Sequence, residues 1–390
     1  MISIKEAYEL IESTVNPLQS EKVDFSLSTG RILAEDVASD MDMPPFDKSA
    51  VDGYACRRED LKKPLKVIEM IPAGYFPKEI ISPGTCSKIM TGAKVPEGAD
   101  CVVMVEYTSE ENGFMHFTAE NTASNFALKG EDAKKGQVVL KKNSLIDARH
   151  IAVMASVGCI EPQVYKQPCV MIFATGNELV DPSHSPGPGQ IRNSNGFQTL
   201  SQCRNIGINA VSGGVIPDDK NLTCESLKKA TDKYDVVILS GGVSKGDLDF
   251  IPAVMKELGF NILFDALAVQ PGKPTTLAVK GNKYILGLPG NPVSSLVQFN
   301  LIGKKLIYAL CGYNYNWVSY KIKLANNYKR KKAERTGFLP VILNETGEIE
   351  IPQYNGSAHI QALPESTGLL QVDPGVFEIK KGEYGTYRPF

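Results

Sequence analysis

Three short segments of the sequence place glycine next to polar side chains, each directly after a run of apolar residues. They are Ala-Thr-Gly-Asn-Glu at 174–178, Ser-Gly-Gly-Val-Ser-Lys-Gly-Asp-Leu-Asp at 240–249 and Leu-Pro-Gly-Asn-Pro-Val-Ser at 288–294. Glycine lets backbone N–H groups approach an anion closely, and Lys245 can add positive charge. Asp249, at the start of a predicted helix, can hold a metal ion. A tight turn with a helix cap would explain the second segment alone, but three such segments favour a binding site.

Other residues that could bind an anion or a metal ion lie elsewhere in the chain. Gln-Pro-Gly-Lys-Pro at 270–274 predicts a rigid turn that presents Lys273, with a solvated surface lysine as the alternative. Thr91, in Met-Thr-Gly-Ala, is ambiguous by itself, and the Asp-Gly at 52–53 would pass for a simple turn. Carboxylates that fall on candidate loops are Asp52, Asp132, Glu178, Asp218 and Asp249. Such oxygen ligands suit Mg²⁺, and a lysine with Mg²⁺ beside a glycine-rich loop suits cleavage of a phosphoanhydride.

The elements that must position these residues follow from the hydrophobic pattern. A helix is predicted at the N-terminus, where Ser3 and Glu6 have the spacing of a capping box, and another over 147–156 with Asp147 as its N-cap. Residues 40–137 between them predict an all-β domain, with strands at 65–70, 85–90, 101–107 and 114–118. Residues 169–308 alternate strands (170–173, 208–213, 236–239, 284–288) with helices (194–205, 219–232, 249–258, 293–308). This alternation predicts a doubly wound sheet, after which the chain is again rich in strands and turns.

The composition excludes several classes of protein. The 390 residues carry a formal charge of −2 and a pI near 6.2, which argues against a nucleic-acid binder. Hydrophobic residues make up 43% of the chain, as in a folded globular protein, and the apolar runs are too short to span a bilayer. The N-terminus has no signal-peptide core. Because the eight cysteines form no Cys-x-x-Cys pair, we expect buried, reduced thiols in a cytoplasmic protein.

Several of these segments, taken in order, resemble the signatures of a known family. The segments lie at 44–55, 89–96, 130–132, 175–179, 240–244, 271–274, 287–294 and 356–359. On them the chain is similar to the molybdopterin molybdenumtransferase family, which comprises MoeA, the E domain of gephyrin and its plant relatives. The resemblance covers essentially the whole chain.

The resemblance implies the last step of molybdenum cofactor synthesis. Adenylated molybdopterin and molybdate would bind, the adenylate would be hydrolysed with Mg²⁺ to release AMP, and the metal would pass to the pterin dithiolene. The sulfurs of the substrate would supply the soft metal ligands, so the protein needs no thiolate cluster. Transient contacts with the adenylyltransferase and with chaperones of molybdoenzymes are also implied, but none with nucleic acid or membrane.

The resemblance also implies an elongated homodimer of four-domain subunits. Residues 1–45 and 138–166 would form an extended dimerisation domain, 46–137 an inserted β domain, 167–312 the α/β domain and 313–390 a C-terminal β-barrel. The active cleft would lie between the α/β domain of one subunit and the inserted β domain of the other.

Residue by residue, the resemblance assigns roles within that cleft. Asp52 and Thr91 would face it from the second subunit, and Glu178, Asp218, Asp249 and Lys273 would line it from the first, with Glu178 and Asp249 as metal ligands. The residues implied to bind the substrate are Asp132, Thr175, Gly176, Ser240, Gly241, Gly242, Ser244, Lys245, Pro289, Asn291, Pro292, Ser294 and Ser357.

Two departures from the family pattern affect the anion contacts. Only Lys129 is basic in the run before Gly130, where the family often has arginines, and Gln270 stands where many members have lysine. Compared with lysine, Gln270 can still form hydrogen bonds but carries no charge, so we expect weaker binding of molybdate there. Two alternative functions are a gephyrin-like scaffold that binds peptides and the preceding adenylyltransferase step. Tungstate is an alternative substrate, since the two oxyanions have nearly equal size and charge.

Overall fold

A computed structural model describes residues 1–243 and 250–390 of the chain. The N-terminal helix, Ile4–Thr14, begins with the predicted capping box: the backbone N–H of Ser3 donates to the Glu6 carboxylate (2.7 Å), and the N–H of Glu6 donates to the Ser3 hydroxyl (3.2 Å). Ala7 and Ile11 on one face of this helix are fully buried in a core shared with the α/β part of the chain. The capping box therefore starts a helix that anchors the N-terminus to the centre of the molecule.

Two distant parts of the sequence pair beside this helix. Strand Ser20–Lys22 pairs with Gln163–Tyr165, and Val37–Ala38 pairs with Val138–Leu140. The helix Ala148–Ser156 packs against them, and Asp147 caps it as predicted by accepting from the N–H of Arg149 (2.9 Å). The segments before and after the inserted β region are thus held together.

The inserted region forms a six-stranded sheet. Its strands, in spatial order, are Cys101–Met104, Gly53–Cys56, Thr85–Ile89, Leu65–Ile71, Phe114–Phe117 and Thr108–Glu111. Only the pair Leu65–Ile71 and Thr85–Ile89 is parallel. A short pair, Lys48–Ser49 with Phe126–Ala127, lies outside the sheet. The predicted all-β region is present, although the third predicted strand is shorter and ends at Met104.

The central sheet has six strands with helices on both faces. In spatial order they are Val211–Ile216, Val170–Thr175, Val236–Ser240, Lys283–Leu288, Thr276–Lys280 and Asn261–Phe264. The first four are parallel, and the fifth, Thr276–Lys280, is antiparallel to both of its neighbours. The pattern predicted neither of the last two strands. The helices that the structure describes here are Asn195–Arg204, Lys220–Lys233, Ile251–Glu257, Pro292–Gln298 and Lys304–Leu310.

Two local features of the central sheet differ from the sequence prediction. The edge strand lies at Val211–Ile216 rather than 208–213, since its first four residues are exposed and no hydrophobic pattern marks its start. The last predicted helix is divided by a π-helical turn, Phe299–Gly303, although the whole stretch remains buried. The predicted start of the helix at Asp249 lies outside the described residues.

The C-terminal strands form a small barrel. They are Tyr320–Lys323, Thr336–Leu343, Ile349–Glu350, Gly368–Val372 and Tyr384–Pro389. Ile349–Glu350 pairs with Thr336–Leu343 and also bridges to Leu324, which closes the ring. Val269–Gln270, from the central region, adds a parallel strand beside Thr336 and Gly337. The predicted fold class, a multidomain protein with a doubly wound α/β domain, an inserted β domain and a β-barrel, is confirmed.

Within residues 1–243 and 250–390, no helix combines the length and the hydropathy that crossing a bilayer requires.

Candidate functional site

A cavity of about 1000 Å³ opens where three neighbouring parallel strands of the central sheet end. These strands end at Thr175, Ser240 and Leu288, and the segments that follow them line the cavity. Ligands of open α/β sheets bind at this edge. The residues predicted from sequence that line the cavity are Thr175, Gly176, Glu178, Asp218, Ser240, Gly241, Gly242, Pro289, Asn291 and Pro292.

Glycine is required at two points of the cavity wall. Gly241 has φ +99°, and a Cβ there would lie 2.7 Å from Thr175 Oγ1 and 2.8 Å from its carbonyl oxygen. A Cβ on Gly176, at φ +143°, would lie 2.3 Å from a Glu178 carboxylate oxygen. Any larger residue at either point would clash and adopt a strained backbone. The two glycines therefore let the loops after adjacent strands pack closely and leave the space in front of them open.

The first cavity is also lined by polar residues that the sequence motifs do not mark. Asn195 donates through Nδ2 to Ser240 Oγ (2.9 Å) and to the carbonyl oxygen of Gly290 (2.7 Å), so it links two of the predicted loops. Its Oδ1 is buried and accepts no bond within the described part of the chain. Arg192 and Asn193 line the same cavity. The run Asn-Ser-Asn at 193–195, at the start of a helix, is the sequence signal available for these residues.

Two carboxylates face the first cavity. Asp218 Oδ2 accepts from the backbone N–H of Asn177 (3.1 Å), and Asn177 Oδ1 accepts from the N–H of Asp218 (3.1 Å). This reciprocal pair fixes Asp218 beside the segment that carries Glu178. The described residues contain no cluster of three or more acidic, histidine or cysteine ligands. Since Mg²⁺ in proteins commonly takes one or two carboxylates and completes its shell with phosphate oxygens and water, Glu178 and Asp218 form a fitting donor pair.

A second cavity, of about 1140 Å³, adjoins the first and lies between the central sheet and the barrel. Glu178, Pro289 and Asn291 line both cavities. Lys273, Ser294 and Ser357 line the second, and Asn291 Nδ2 donates to Ser357 Oγ (3.0 Å). The predicted segments 270–274, 288–294 and 356–359 thus meet in one place.

The turn that presents Lys273 is braced on several sides. Gln298 donates through Nε2 to the carbonyl oxygen of Pro271 (3.1 Å), and Thr275 Oγ1 donates to that of Gly272 (3.0 Å). Gly272 has φ +100°, and a Cβ there would lie 2.5 Å from Gln298 Nε2. Lys273 itself is exposed to the cavity. The prediction of a rigid turn around Lys273 agrees with this geometry.

The barrel adds cations that the sequence analysis did not assign. Lys329, Arg330 and Arg335 line the second cavity. Arg330 is a structural residue, because it donates to the carbonyl oxygens of Val376 (2.7 Å), Arg335 (3.0 Å) and Asp373 (2.6 Å). Arg335 donates one bond in the described structure, from Nη1 to Val269 O (3.0 Å). The basic run Lys-Arg-Lys-Lys at 329–332 was a visible signal, but it did not show which side chain faces a ligand.

Other predicted site residues lie away from both cavities of the same chain. In the inserted sheet, Asp52 Oδ1 accepts from the N–H (2.6 Å) and the hydroxyl (2.7 Å) of Thr91, and these bonds lower the pKa of the Asp52 carboxyl. Asp132 is exposed and donates its N–H to the carbonyl oxygen of Met43 (2.9 Å). Neither cavity is lined by Asp52, Thr91 or Asp132. Ser244, Lys245 and Asp249 lie outside the described residues.

The fold and these cavities define a class of protein. It is a multidomain α/β protein with a cleft at the carboxyl ends of parallel strands, and the cleft extends to a barrel that carries Lys329, Arg330 and Arg335. Family models match most of the chain. They are the MoeA N-terminal region (domain I and II) over residues 2–158, a probable molybdopterin binding domain over 171–309 and the MoeA C-terminal region (domain IV) over 321–386.

Individual relatives agree with the family models. The molybdopterin molybdenumtransferase of Staphylococcus epidermidis ATCC 35984 is 34% identical over 98% of this chain and 94% of its own. That of Staphylococcus aureus Mu50 is 38% identical over 80% and 76%. The crystal structure of the molybdopterin biosynthesis moeA protein from Pyrococcus horikoshii OT3 is similar over 100% of both chains, at 30% identity and a TM-score of 0.86. The chain belongs to the MoeA family, as its sequence motifs predicted.

Proposed function

We propose that this chain is a molybdopterin molybdenumtransferase that uses the two adjoining cavities for the two halves of its reaction. Membership of the family supports a role as a transferase in molybdenum cofactor biosynthesis, in which molybdenum is inserted into molybdopterin. The observation that carries the assignment of the two halves is that Glu178 and Asn291 line both cavities, so that ligands in them would bind side by side.

The first cavity suits the adenylated pterin. Its volume of about 1000 Å³ is at the upper end of the range for sites that enclose a small molecule. The glycine-rich loop after Ser240 offers backbone donors to a phosphate, and the buried Asn195 Oδ1 can accept from a heterocyclic N–H. Asn195 therefore joins Thr175, Ser240 and Asn291 as a candidate substrate-binding residue.

The second cavity suits molybdate. Lys273 and Arg335 bring positive charge, while Ser294 and Ser357 offer hydroxyl donors to the oxygens of a tetrahedral dianion. Because Arg330 donates its N–H groups to backbone carbonyl oxygens, the cationic side chains proposed to bind the oxyanion directly are Lys273 and Arg335, and Arg330 adds charge without a direct contact. Gln270, which also lines the cavity, contributes hydrogen bonds without charge.

Magnesium would be held in the first cavity by Glu178 and Asp218, with Asp249 of the adjoining segment as a further ligand. When bound, it would stabilise negative charge on the phosphate oxygens as the adenylate leaves. The soft ligands of the molybdenum would be the dithiolene sulfurs of the substrate, so the carboxylates would serve only the magnesium ion.

Neither cavity is lined by Asp52 or Thr91 of the same chain, which supports a homodimer in which the inserted β domain of one subunit completes the cleft of the other. The domain limits that we propose are those stated from sequence: 1–45 with 138–166, 46–137, 167–312 and 313–390. A cytoplasmic location fits the predicted reduced thiols.

Incubation of the purified protein with adenylated molybdopterin, Mg²⁺ and either molybdate or tungstate tests this function. We expect AMP release and formation of the metal-loaded cofactor, both dependent on Mg²⁺. Asp218→Asn should lose AMP release, whereas Glu225→Gln, which alters an exposed carboxylate paired with Lys229 in the same domain, should retain it. Absence of AMP release from the wild-type protein would refute the proposed function.

A further inference from the structure

Two adjacent aromatic side chains protrude from the inserted β domain. Tyr75 is 68% exposed and Phe76 is 71% exposed, and they follow one another in the loop between strands Leu65–Ile71 and Thr85–Ile89. Exposing two large rings side by side is unfavourable in water unless a ligand or partner covers them.

The loop that carries them is held at both ends. At its start, the N–H of Tyr75 donates to the carbonyl oxygen of Pro72 (3.2 Å). At its end, the Glu69 carboxylate accepts from the N–H groups of Lys78 (3.1 Å) and Glu79 (3.2 Å). The rings therefore project from a braced turn, which reduces the entropy lost when they are covered.

The aromatic pair lies beside the residues that the family motif assigns to the cleft. The ammonium group of Lys94 is 4.9 Å from the centre of the Phe76 ring. Ala73, at the base of the loop, approaches Gly92, which follows Thr91. Because Thr91 binds Asp52, one edge of this domain presents two rings, an ammonium group and a carboxylate.

Within residues 1–243 and 250–390, the first cavity has no aromatic ring that could stack against a planar heterocycle. None of the side chains that line it is aromatic, and the sequence of the six neighbouring residues 244–249 contains no aromatic residue. Tyr328, Phe338 and Tyr354 line the second cavity, but these rings pack against the hydrophobic cores. A pterin or an adenine bound in the first cavity would therefore find no aromatic ring to stack on among the described residues that line it.

We propose that Tyr75 and Phe76 of one subunit stack on a heterocyclic ring of the adenylated pterin bound in the first cavity of the partner subunit, with Lys94 close to its phosphates. This inference rests on the proposed function and adds two specificity-determining residues and one anion contact to it. The pair supplies what the cavity lacks, and Lys94 offers to the phosphates the charge that a stacked nucleotide requires.

Steady-state kinetics of Tyr75→Leu/Phe76→Leu test the stacking contact while keeping the loop apolar. We expect KM for adenylated molybdopterin to rise between about fivefold and about 150-fold, the range that loss of stacking on one base produces, with a smaller change in kcat. Tyr75→Trp/Phe76→Tyr, which keeps two rings, should stay within about threefold of wild type. Phe114→Leu, at a ring that is 43% exposed in the same domain, is the control and should leave KM unchanged.

Mixed dimers test whether the contact is made between subunits. A doubly tagged dimer pairs one Tyr75→Leu/Phe76→Leu chain with one Glu178→Gln chain, so that only the first chain has a working cleft. If the rings act in the partner, the intact loop of the Glu178→Gln chain serves this cleft, and KM is that of wild type. A raised KM would place the rings in their own chain and overturn the proposal.

Two other results would also contradict the stacking proposal. One is an unchanged KM in the homodimer of Tyr75→Leu/Phe76→Leu. The other is dissociation of that variant into monomers by analytical ultracentrifugation, which would make the rings part of a subunit interface. If the wild-type protein released no AMP at all, the proposed function itself would fail, and this outcome is distinct from the others.

Discussion

Replacement of Lys273 by alanine tests how the second cavity holds an oxyanion. The turn around Lys273 is braced by Gln298 and Thr275, so the substitution should remove the charge without moving the backbone. Arg335 would remain as the main cationic donor, because the N–H groups of Arg330 already donate to backbone carbonyl oxygens. We therefore expect weaker binding of molybdate rather than loss of the reaction.

The size of this effect follows from the contact that is lost. A hydrogen bond to a charged group contributes about 1.5–3 kcal/mol, and the exposure of Lys273 favours the lower half of that range. About 1.5–2 kcal/mol corresponds to a rise of roughly 10- to 30-fold in the concentration of molybdate that gives half-maximal rate. At saturating molybdate, the rate should return to near the wild-type value.

The assay is the formation of molybdenum cofactor as molybdate is varied at a fixed, saturating concentration of adenylated molybdopterin. Lys329→Ala is the matched control, since Lys329 lines the same cavity but is 77% exposed and lies 3.9 Å from Glu378. It should change the molybdate dependence by less than about twofold. An unchanged molybdate dependence in Lys273→Ala would show that Lys273 is a solvated surface lysine and would refute the reasoning.

Three further predictions concern the subunit arrangement, the Asp52 carboxyl and the buried lysine. A doubly tagged dimer that pairs one Asp52→Asn chain with one Glu178→Gln chain should show about half of the wild-type AMP release, because one cleft carries both changes and the other carries neither. AMP release no higher than that of either parent variant would place both carboxylates of a cleft in one chain. Thr91→Val should raise the pKa of Asp52 towards its ordinary value of 3.8, measured by NMR titration. Thr91 stabilises the ionised form of Asp52, so this contact should stabilise the folded protein above pH 3.8. The stabilisation should be lost as the pH falls through the lowered folded-state pKa of Asp52. An acid unfolding curve of Thr91→Val identical to that of the wild type would argue against this contribution. Lys305→Met should lower the free energy of unfolding, measured in urea, by about 2–4 kcal/mol, because buried Lys305 binds Glu12 (2.5 Å) and two further acceptors. Glu12→Gln should lower it by less, since the Glu12 carboxylate is half exposed.

Features that depend on local sequence were predictable. The Ser3 and Glu6 side chains needed only each other and the first turn of a helix, and Asp147 likewise needed only the N–H groups that follow it. The strands Val170–Thr175 and Val236–Ser240 are buried on both faces, so their apolar runs were unambiguous. The polar loops after them could be placed at one edge of the sheet because parallel strands end on the same side.

Features that depend on distant contacts were not predictable from the residues alone. Nothing in the sequence around Arg330 and Arg335 distinguishes the roles of the two arginines. Only the fold shows that Arg330 donates to three backbone carbonyl oxygens. The first four residues of the edge strand Val211–Ile216 are exposed, so no alternation of apolar and polar residues marks this strand in the sequence. Asn195 was assigned only to a helix, since its bonds to Ser240 and Gly290 join loops far apart in the chain.

The turn at 270–274 connects the architecture to the chemistry of the oxyanion site. Val269–Gln270 pairs with Thr336 and Gly337 of the barrel, and Arg335 donates to the carbonyl oxygen of Val269. On the other side of the turn, Gln298 holds Pro271 against the helix Pro292–Gln298, which begins next to Asn291. The same backbone that presents Lys273 therefore fixes the barrel against the central sheet. A shift of the barrel would move Arg335 and Ser357 relative to Lys273, so the joint between the two domains sets the spacing of the groups that would surround the oxyanion.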